Sequence, residues 1–497
     1  MNASLNRMLC FGLTLVLVTL VTHTTAYSQE RRSGLISAAD ARQNGLNVRW
    51  ATTVQIDPAI AQISNIKMHV NSKRSHTYFE ILSDGERTVF SERHLDAYGE
   101  PLGRDGAKVA ADERAQELKD QGATVDSVTE HVIPHLRLYV VTDAALLQAI
   151  DAETGKTLWR ASTGNPRHKN MGPAVSDDFV AVVNGQKLMV FDAHTGRRLW
   201  VEVMDRVPLF DPVIIDEFVC IPTAAQRVIT YDIRDPGRVR PHYPSFGRFT
   251  APATKMGTRL VWANSKSFIS VANTYSIGVE HWIVTNDVVA HSPSYHPPNT
   301  ILYATKHGTL YSMTADKPSI LWRYPTGDWT HQRPIPIGDT VYYITDSIGL
   351  HAVSLNNGAP KWTSRDIGKF LSATDKHLYV LDRANRLIVL NKDNGSRIAT
   401  FATEELDLTY TNLHSDRIFI GTRRGRLQCV HELANHWPQL QVGVEAPNDD
   451  APNAKPAGAP AAQPKPKNAD PFGNDPFDAP KKGNPGEAEK DPFGDGF

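Results

Sequence analysis

The chain has 497 residues, a formal net charge of -1 and a hydrophobic content of 41%. This balance gives no electrostatic reason to expect nucleic acid or an anionic membrane surface as a partner, and it leaves enough apolar residues for a large core. Residues 1–26 hold a short polar start, an apolar run from about Met8 to Val21, and small residues up to Ala26. They predict an export signal, a mature chain without an integral membrane span, and a location in the periplasm or cell envelope. An uncleaved anchor is the alternative.

The cysteines do not predict a disulfide framework. Cys10 lies inside the apolar run, too early for a lipid-modified mature N-terminus. Cys220 and Cys429 remain after signal removal and are far apart in sequence. We therefore predict two buried thiols, although export implies an oxidising compartment.

A strand that ends in tryptophan returns about every 40 residues, a period typical of β-propellers. The clearest copies run from Asp151 to Trp159 and from Asp192 to Trp200, each with a Thr-Gly loop before the tryptophan. We expect each ring to pack on the next blade. The predicted blade-docking set is Trp50, Trp159, Trp200, Trp282, Trp322 and Trp362.

The repeats predict an all-β fold, an eight-bladed β-propeller over residues 132–444. Eight copies of the first strand can be counted, but two copies are degenerate, so seven blades are possible. Residues 27–56 include a strand with Trp50 that we predict to complete the last blade. Trp437, which follows the last copy, is the rival for that role.

Two segments break the period. Residues 57–131 combine an apparent hairpin around Asp84-Gly85 with a helix-like stretch, and they predict a small α+β insertion. Residues 445–497 are rich in Pro, Ala, Asp and Lys, and they predict a disordered tail. That tail repeats one tripeptide, for which we predict weak, repeated docking to a partner, with simple duplication as the alternative. The copies are Asp470, Pro471, Phe472; Asp475, Pro476, Phe477; and Asp491, Pro492, Phe493.

The two clear copies, Asp151 to Trp159 and Asp192 to Trp200, resemble the pyrroloquinoline-quinone-like repeat propellers. The resemblance covers about Leu136 to Val430 and the strand of Trp50. This family includes quinone-dependent dehydrogenases and non-enzymatic members of the outer-membrane assembly type. The dehydrogenases typically carry adjacent cysteines and a Ca²⁺ cluster beside a catalytic Asp, and this sequence has no Cys-Cys pair and no matching cluster. The resemblance therefore implies a non-enzymatic member without a cofactor. The lipid-bearing cysteine that is usual in assembly members is missing.

The mouth of the central channel is the default ligand site of a propeller. Recurring prolines mark the innermost strands, and the residues just before them should surround the channel. The candidates are Asp211, His291, His331 and Arg333. His291 and His331 come from neighbouring blades, but a metal site needs a third ligand, and solvated loop residues are the ordinary interpretation. We predict no metal.

These patterns favour an exported, non-catalytic, monomeric propeller that acts as a protein–protein interaction scaffold in the bacterial cell envelope. Its partners would be envelope proteins that the sequence does not identify. A small-ligand, metal or enzymatic site at the channel mouth is the alternative. A vesicle-coat role, suggested by the Asp-Pro-Phe tripeptides, is opposed by the export signal.

Overall fold

The computed structural model describes residues 35–238, 242–401, 403 and 406–441. The predicted export signal and the Asp-Pro-Phe tripeptides lie outside these residues. The described chain begins with helix α1 (Ala38–Gln43), capped by the Ser37 hydroxyl, which accepts a hydrogen bond of 3.1 Å from the Asp40 amide. Strand β1 (Leu46–Thr53) follows.

Sheet 1 is the only five-stranded sheet among the described residues, with the order β3-β2-β4-β5-β6. Its elements are β2 (Ile63–Ser83), β3 (Glu86–Ser91), α2 (Gly103–Asp120), β4 (Val125–Thr142), β5 (Leu146–Asp151) and β6 (Thr157–Ser162).

The two long strands β2 and β4 serve two parts of the molecule. Their Ile63–Val70 and Leu136–Thr142 portions pair within the ring, and the register shifts between Val70 and Ser75. Beyond this break the pair continues as a hairpin, on which α2 packs alanines against Phe79 and Ile81. The interval predicted as an insertion, 57–131, therefore also supplies the innermost strand of sheet 1.

Sheets 2 to 7 are six four-stranded antiparallel sheets, each formed by consecutive strands. Sheet 2 contains β7 (Asn170–Val175), β8 (Phe179–Asn184), β9 (Lys187–Asp192) and β10 (Arg198–Val203); sheet 3 contains β11 (Val213–Ile215), β12 (Phe218–Thr223), β13 (Arg227–Asp232) and β14 (Tyr243–Pro244); sheet 4 contains β15 (Thr254–Met256), β16 (Arg259–Ala263), β17 (Phe268–Asn273) and β18 (His281–Val284). Sheet 5 contains β19 (Ser294–His296), β20 (Thr300–Ala304), β21 (Thr309–Thr314) and β22 (Ile320–Pro325); sheet 6 contains β23 (Ile335–Ile337), β24 (Thr340–Ile344), β25 (Gly349–Ser354) and β26 (Pro360–Arg365); sheet 7 contains β27 (Ile367–Ala373), β28 (His377–Asp382), β29 (Leu387–Asn391) and β30 (Arg397–Phe401).

Sheet 8 combines the two ends of the ring. It contains β31 (Leu408–Thr409), β32 (Ile418–Gly421) and β33 (Arg426–Glu432), and β1 pairs antiparallel with β33 as the fourth, outermost strand. Trp437 lies elsewhere, against the hairpin of sheet 1, where its indole Nε1 donates a hydrogen bond of 2.8 Å to Glu80.

The eight sheets form a closed ring. The innermost strands contact one another from sheet 1 through sheet 6, and β27 of sheet 7 contacts β24 of sheet 6 and β32 of sheet 8. Apolar side chains fill the space between every two consecutive sheets, and one cluster around Trp50, Met68 and Phe419 joins sheet 8 to sheet 1. This ring confirms the prediction of an all-β propeller. Cys220 and Cys429 are free and buried.

Candidate functional site

The tryptophans join neighbouring sheets through a repeated pair of contacts. In four of the predicted positions the ring lies on a glycine of the next sheet's loop, so close that a Cβ there would overlap it: Trp50 on Gly155, Trp159 on Gly196, Trp322 on Gly358 and Trp362 on Gly395. Five indole Nε1 groups donate to a backbone carbonyl of the next sheet. These bonds are Trp50–Ala152 (2.8 Å), Trp159–Ala193 (2.9 Å), Trp200–Ile233 (2.7 Å), Trp322–Leu355 (2.7 Å) and Trp362–Lys392 (3.0 Å).

Trp282 requires a correction, because it does not dock in this way. It is 47% exposed, and its ring lies 5.2 Å from that of Phe246, centroid to centroid. The reason is local. The loop of the next sheet has Pro318 where the loops that receive Trp50, Trp159, Trp322 and Trp362 have glycine.

The predicted channel-mouth residues lie in the connections that lead into innermost strands, but they do not form one cluster. Asp211 is a structural acceptor: its carboxylate receives hydrogen bonds from the Gly172 amide (2.7 Å) and the Asn65 amide group (3.2 Å). His291 Nε2 contacts the carbonyl of Thr330 at 3.0 Å. His331 Nε2 pairs with Asp346 at 2.9 Å, and both side chains are more than half exposed. The two histidines thus have separate partners. In the described ranges, no three His, Cys, Asp or Glu side chains are arranged to hold a metal ion.

Three channel residues of β2 were missed by the sequence analysis: Asn65, Lys67 and His69. Strand residues alternate between two faces, and Ile66, Met68 and Val70 are buried in the cluster between sheets 8 and 1. Asn65, Lys67 and His69 therefore lie on the opposite face, towards sheet 2, where Asn65 bonds to Gly172 and His69 to Asp177. A signal was present, since these three polar residues alternate with apolar ones within Ile63–Val70.

The channel residues lie at successive levels along β2. Asn65 contacts Asp211 near the mouth. Lys67 lies deeper; its side chain is exposed, but desolvation by the surrounding protein lowers its pKa to about 8, helped by the charge of Arg333 and opposed by Asp211. His69 pairs with Asp177 at 2.9 Å at the far end. Near it, burial lowers the pKa of His414 to about 3, helped by the charges of Lys67, His69 and Arg333.

Polar bonds also cross between innermost strands on the other side of the channel. Gln332 accepts from the Phe370 amide at 3.1 Å and donates to the Thr411 hydroxyl at 2.8 Å. The Lys369 ammonium donates to the Thr409 hydroxyl. These bonds link three consecutive sheets, 6 to 8, around the channel.

Several exposed apolar side chains lie at the same end of the ring as the mouth. Short bridges such as Pro208–Thr223 and Thr330–Thr345 place the connections between sheets beside the turns between second and third strands. Exposed apolar side chains are frequent in these segments and at the adjoining strand ends. We call this the apolar end, formed by Val207 (56% exposed), Phe246 (60%), Trp282 (47%), Val284 (73%) and Trp329 (59%).

Comparison with known proteins supports the repeat assignment. The model of the family described as "Outer membrane protein assembly factor BamB" matches residues 93–248 and 259–452. The outer membrane protein assembly factor BamB of Shewanella oneidensis is 22% identical over 301 residues, which cover 59% of this chain and 68% of that protein. The crystal structure of BamB from Moraxella catarrhalis has a TM-score of 0.50 at 13% identity, covering 59% of this chain and 93% of that one. The resemblance to pyrroloquinoline-quinone-like repeat propellers is confirmed.

Proposed function

Because the chain belongs to the family of outer membrane protein assembly factor BamB, we propose that it is a non-catalytic ring that binds proteins during outer-membrane protein assembly. It acts in the periplasm, in keeping with the predicted export signal. The described part of the chain contains no helix long and apolar enough to span a membrane.

The apolar end is the observation that carries this proposal. Soluble monomers rarely leave several large apolar side chains exposed together, and such patches commonly mark protein interaction sites. Trp and Phe are the side chains that gain most when a partner covers them. Phe246 and Trp282 pack on each other, and Lys306 lies 5.1 Å from the ring centre of Trp329, so both tryptophans are held in place before a partner arrives.

For Trp282 we therefore propose a role in partner binding instead of the predicted docking between sheets. Its ring stays at the surface, beside the ring of Phe246. The tryptophan at this repeat position joins neighbouring sheets in the other copies, whereas in sheet 4 its side chain is available to a partner.

The test is complementation of a strain that lacks this protein, with the amount of assembled outer-membrane barrels as the measurement. We expect Trp282→Asp and Trp329→Asp together to lower barrel levels towards those of the deletion strain. Ile277→Asp is the matched control, because Ile277 is 91% exposed and follows the third strand of sheet 4, at the opposite end of the ring. The proposal fails if the double variant, present at normal levels and folded, restores barrels as well as the control does.

A second contact is proposed for the tail with its three Asp-Pro-Phe tripeptides. We expect a chain that ends at Val444 to lose part of the proteins captured from the envelope by the intact chain, while its ring still complements in part. Capture of the same proteins in the same amounts by both chains would remove the tail from the function.

A further inference from the structure

The hairpin of sheet 1 that extends beyond the ring has an open edge. We call this part of the chain the outer module; it spans residues 75–134 and contains β3, α2 and the outer parts of β2 and β4. The order of sheet 1 places β3 at the edge. Among the described residues, no strand pairs with the outer side of β3, so a further strand can be added there.

The turn before β3 decides which of its backbone groups point outwards. Asp84 and Gly85 form a two-residue turn with positive φ of 50° and 80°, and Ser83 pairs with Glu86 across it. The residues that flank such a turn exchange hydrogen bonds, and the direction of the backbone groups then alternates along the strand. The Glu92 amide confirms this phase, because it donates inwards to a carbonyl of β2 at 3.2 Å.

Two residues of β3 therefore present unpaired backbone groups at the edge. Counted from the turn, Arg87, Val89 and Ser91 direct their N–H and C=O groups outwards. The Ser91 carbonyl is used in the next turn, where it accepts from the His94 amide at 2.9 Å. Among the described residues, no hydrogen bond reaches the two N–H and two C=O groups of Arg87 and Val89. A partner strand would satisfy all four groups.

Described parts of the chain cover both faces of the outer module and leave this edge unpaired. On one face α2 packs three alanines against Phe79 and Ile81. On the other face the Trp437 ring lies 5.0 Å from that of Tyr78, centroid to centroid. Strand β3 also lacks features that commonly block an edge, since it has no Lys or Pro and its six pairs with β2 run without a bulge. A partner can therefore add a strand while both faces keep their contacts.

The opposite edge of the outer module is less suited to a partner strand. It is formed by β4, whose register with β2 shifts between Leu82 and Ser83. Such a bulge twists an edge away from regular pairing. On the same edge, Glu130 is held by Arg104 in an ion pair of 2.8 Å. The edge of β3 is therefore the better place for an added strand.

The charge of the outer module indicates the kind of segment that it accepts. The module includes 13 Asp or Glu residues and six Lys or Arg residues, a formal charge of -7, against -1 for the whole chain. Asp84, Glu86 and Asp126 lie exposed near the turn, and the positive charge of Arg87 is compensated by Glu80. A second copy of the chain would bring like charge to the edge, which disfavours pairing between copies, whereas a basic segment is attracted by the same field.

We propose that the edge of β3 binds an extended basic segment of a protein partner, rich in Lys or Arg, as an added strand. The backbone groups of Arg87 and Val89 hold the segment, and the carboxylates of the outer module select its charge. Main-chain pairing supplies affinity without a groove. This edge is separate from the apolar end, and the proposal does not depend on the role proposed for that surface.

The first test is hydrogen–deuterium exchange, resolved to single amides, of the intact mature chain at low salt. The probe is a short synthetic peptide in which Lys alternates with Thr or Val. In the free chain the inward amides of Thr88 and Phe90 should exchange slowly and the outward amides of Arg87 and Val89 fast. The peptide should slow exchange at Arg87 and Val89 by about tenfold or more. The same peptide with every amide N-methylated keeps its charge and should leave them unchanged.

The second test compares Val89→Pro with Val128→Pro by fluorescence anisotropy of the labelled peptide. Both changes remove an outward N–H, the first from the edge of β3 and the second from the opposite edge, where no bond to β2 is lost. Val89→Pro should weaken peptide binding by about tenfold or more, and Val128→Pro by less than about twofold. Urea unfolding shows whether each variant is folded. If Val89→Pro does not fold, the exchange experiment on the unaltered chain decides.

The proposal is overturned if about 1 mM peptide leaves exchange at Arg87 and Val89 unchanged. Slower exchange at Val128 and Glu130 instead would assign the peptide to β4 and would also overturn it. Equal affinity of the two folded proline variants, or equally tight binding of a peptide with Glu in place of Lys, has the same consequence. Dimerisation of the chain alone that Val89→Pro abolishes would identify a second copy, not a basic segment, as the occupant of the edge.

Discussion

The buried ion pair between Arg417 and Glu153 offers a sharp test of how the ring closes. Arg417 is fully buried at the start of sheet 8, and Glu153 lies in the first Thr-Gly loop of sheet 1. Their bonds are bidentate: Nε to Oε1 at 2.9 Å and Nη2 to Oε2 at 3.1 Å. The same guanidinium donates to the carbonyls of Asn435 and His436 at 3.1 and 2.7 Å. One side chain therefore holds three separate segments together.

We predict that Glu153→Gln lowers the free energy of unfolding by about 3–5 kcal/mol at pH 5, since it leaves an unpaired buried cation. The size of this loss in stability should depend on pH because of Asp416, which is also fully buried and whose carboxylate lies 3.6 Å from the Arg417 guanidinium. Burial raises the pKa of Asp416 to about 7, with a contribution from the charge of Glu153. Without that charge Asp416 ionises more easily, so it can replace the lost carboxylate at pH 8. The variant should therefore be less destabilised at pH 8 than at pH 5.

Urea unfolding measures the loss, and hydrogen–deuterium exchange locates it. Exchange should accelerate in β1 and β33, the strands of the closing sheet, before it does in sheet 5. Glu117→Gln is the control, because its pair with Arg114 on α2 is exposed, and such pairs contribute only about 0.3–0.5 kcal/mol. A loss at pH 5 as small as that of the control, or faster exchange spread evenly over the sheets, would refute the reasoning.

Three further predictions concern the sheets and their joints. Trp159→Ala should lower the free energy of unfolding, measured with urea, by about 3–5 kcal/mol because it leaves a cavity between two sheets. Trp282→Ala should lower it by less than about 1 kcal/mol because its ring is 47% exposed. Similar losses for the two variants would contradict this difference. Gly196→Ala should destabilise by about 2 kcal/mol more than Gly257→Ala, because both have positive φ, of 71° and 57°, but only the first Cβ meets a tryptophan ring; equal unfolding midpoints would contradict this. Asp416 binds its proton more tightly in the folded than in the unfolded chain, so its contribution to the free energy of unfolding is full below about pH 4 and is lost as the pH rises through about 7. Asp416→Asn should therefore flatten the decline of the urea midpoint between pH 5 and 8. An unchanged slope of midpoint against pH would reject the assignment.

The parts of the fold that repeat locally could be predicted from the sequence. The loop from Asp151 to Gly155 shows why: the Asp151 carboxylate accepts from the amides of Glu153 and Thr154, both at 3.0 Å, and Gly155 takes a φ of 71°. These interactions span a few residues, so their sequence pattern is visible in every clear copy. Trp282 shows the limit of the pattern, because its docking depends on a glycine in the following copy rather than on its own sequence.

The candidate sites depend on residues that are distant in sequence, which is why the sequence analysis found only part of them. It named Arg333 and Asp211 from the recurring prolines but missed Lys67, because β2 lies in a segment without the repeat period. Which polar groups meet in the channel depends on which strands become neighbours, as Asn65 and Asp211 do. The apolar end also depends on residues that are distant in sequence, since Phe246 and Trp282 meet only after sheet 4 has formed.

Closure concentrates several of these long-range contacts at the joint between sheets 8 and 1. Strand β1 pairs with β33 there, Trp50 lies on Gly155, and Arg417 binds Glu153 from 264 positions away. The segment from Asn435 to Gln441 is fastened at the same joint, by Arg417 and by the bond from Trp437 to Glu80. Contacts within the other joints connect neighbouring repeats and can form early, whereas this joint must wait until both ends of the chain have arrived. Loss of the Arg417–Glu153 pair should therefore speed unfolding more than it slows folding.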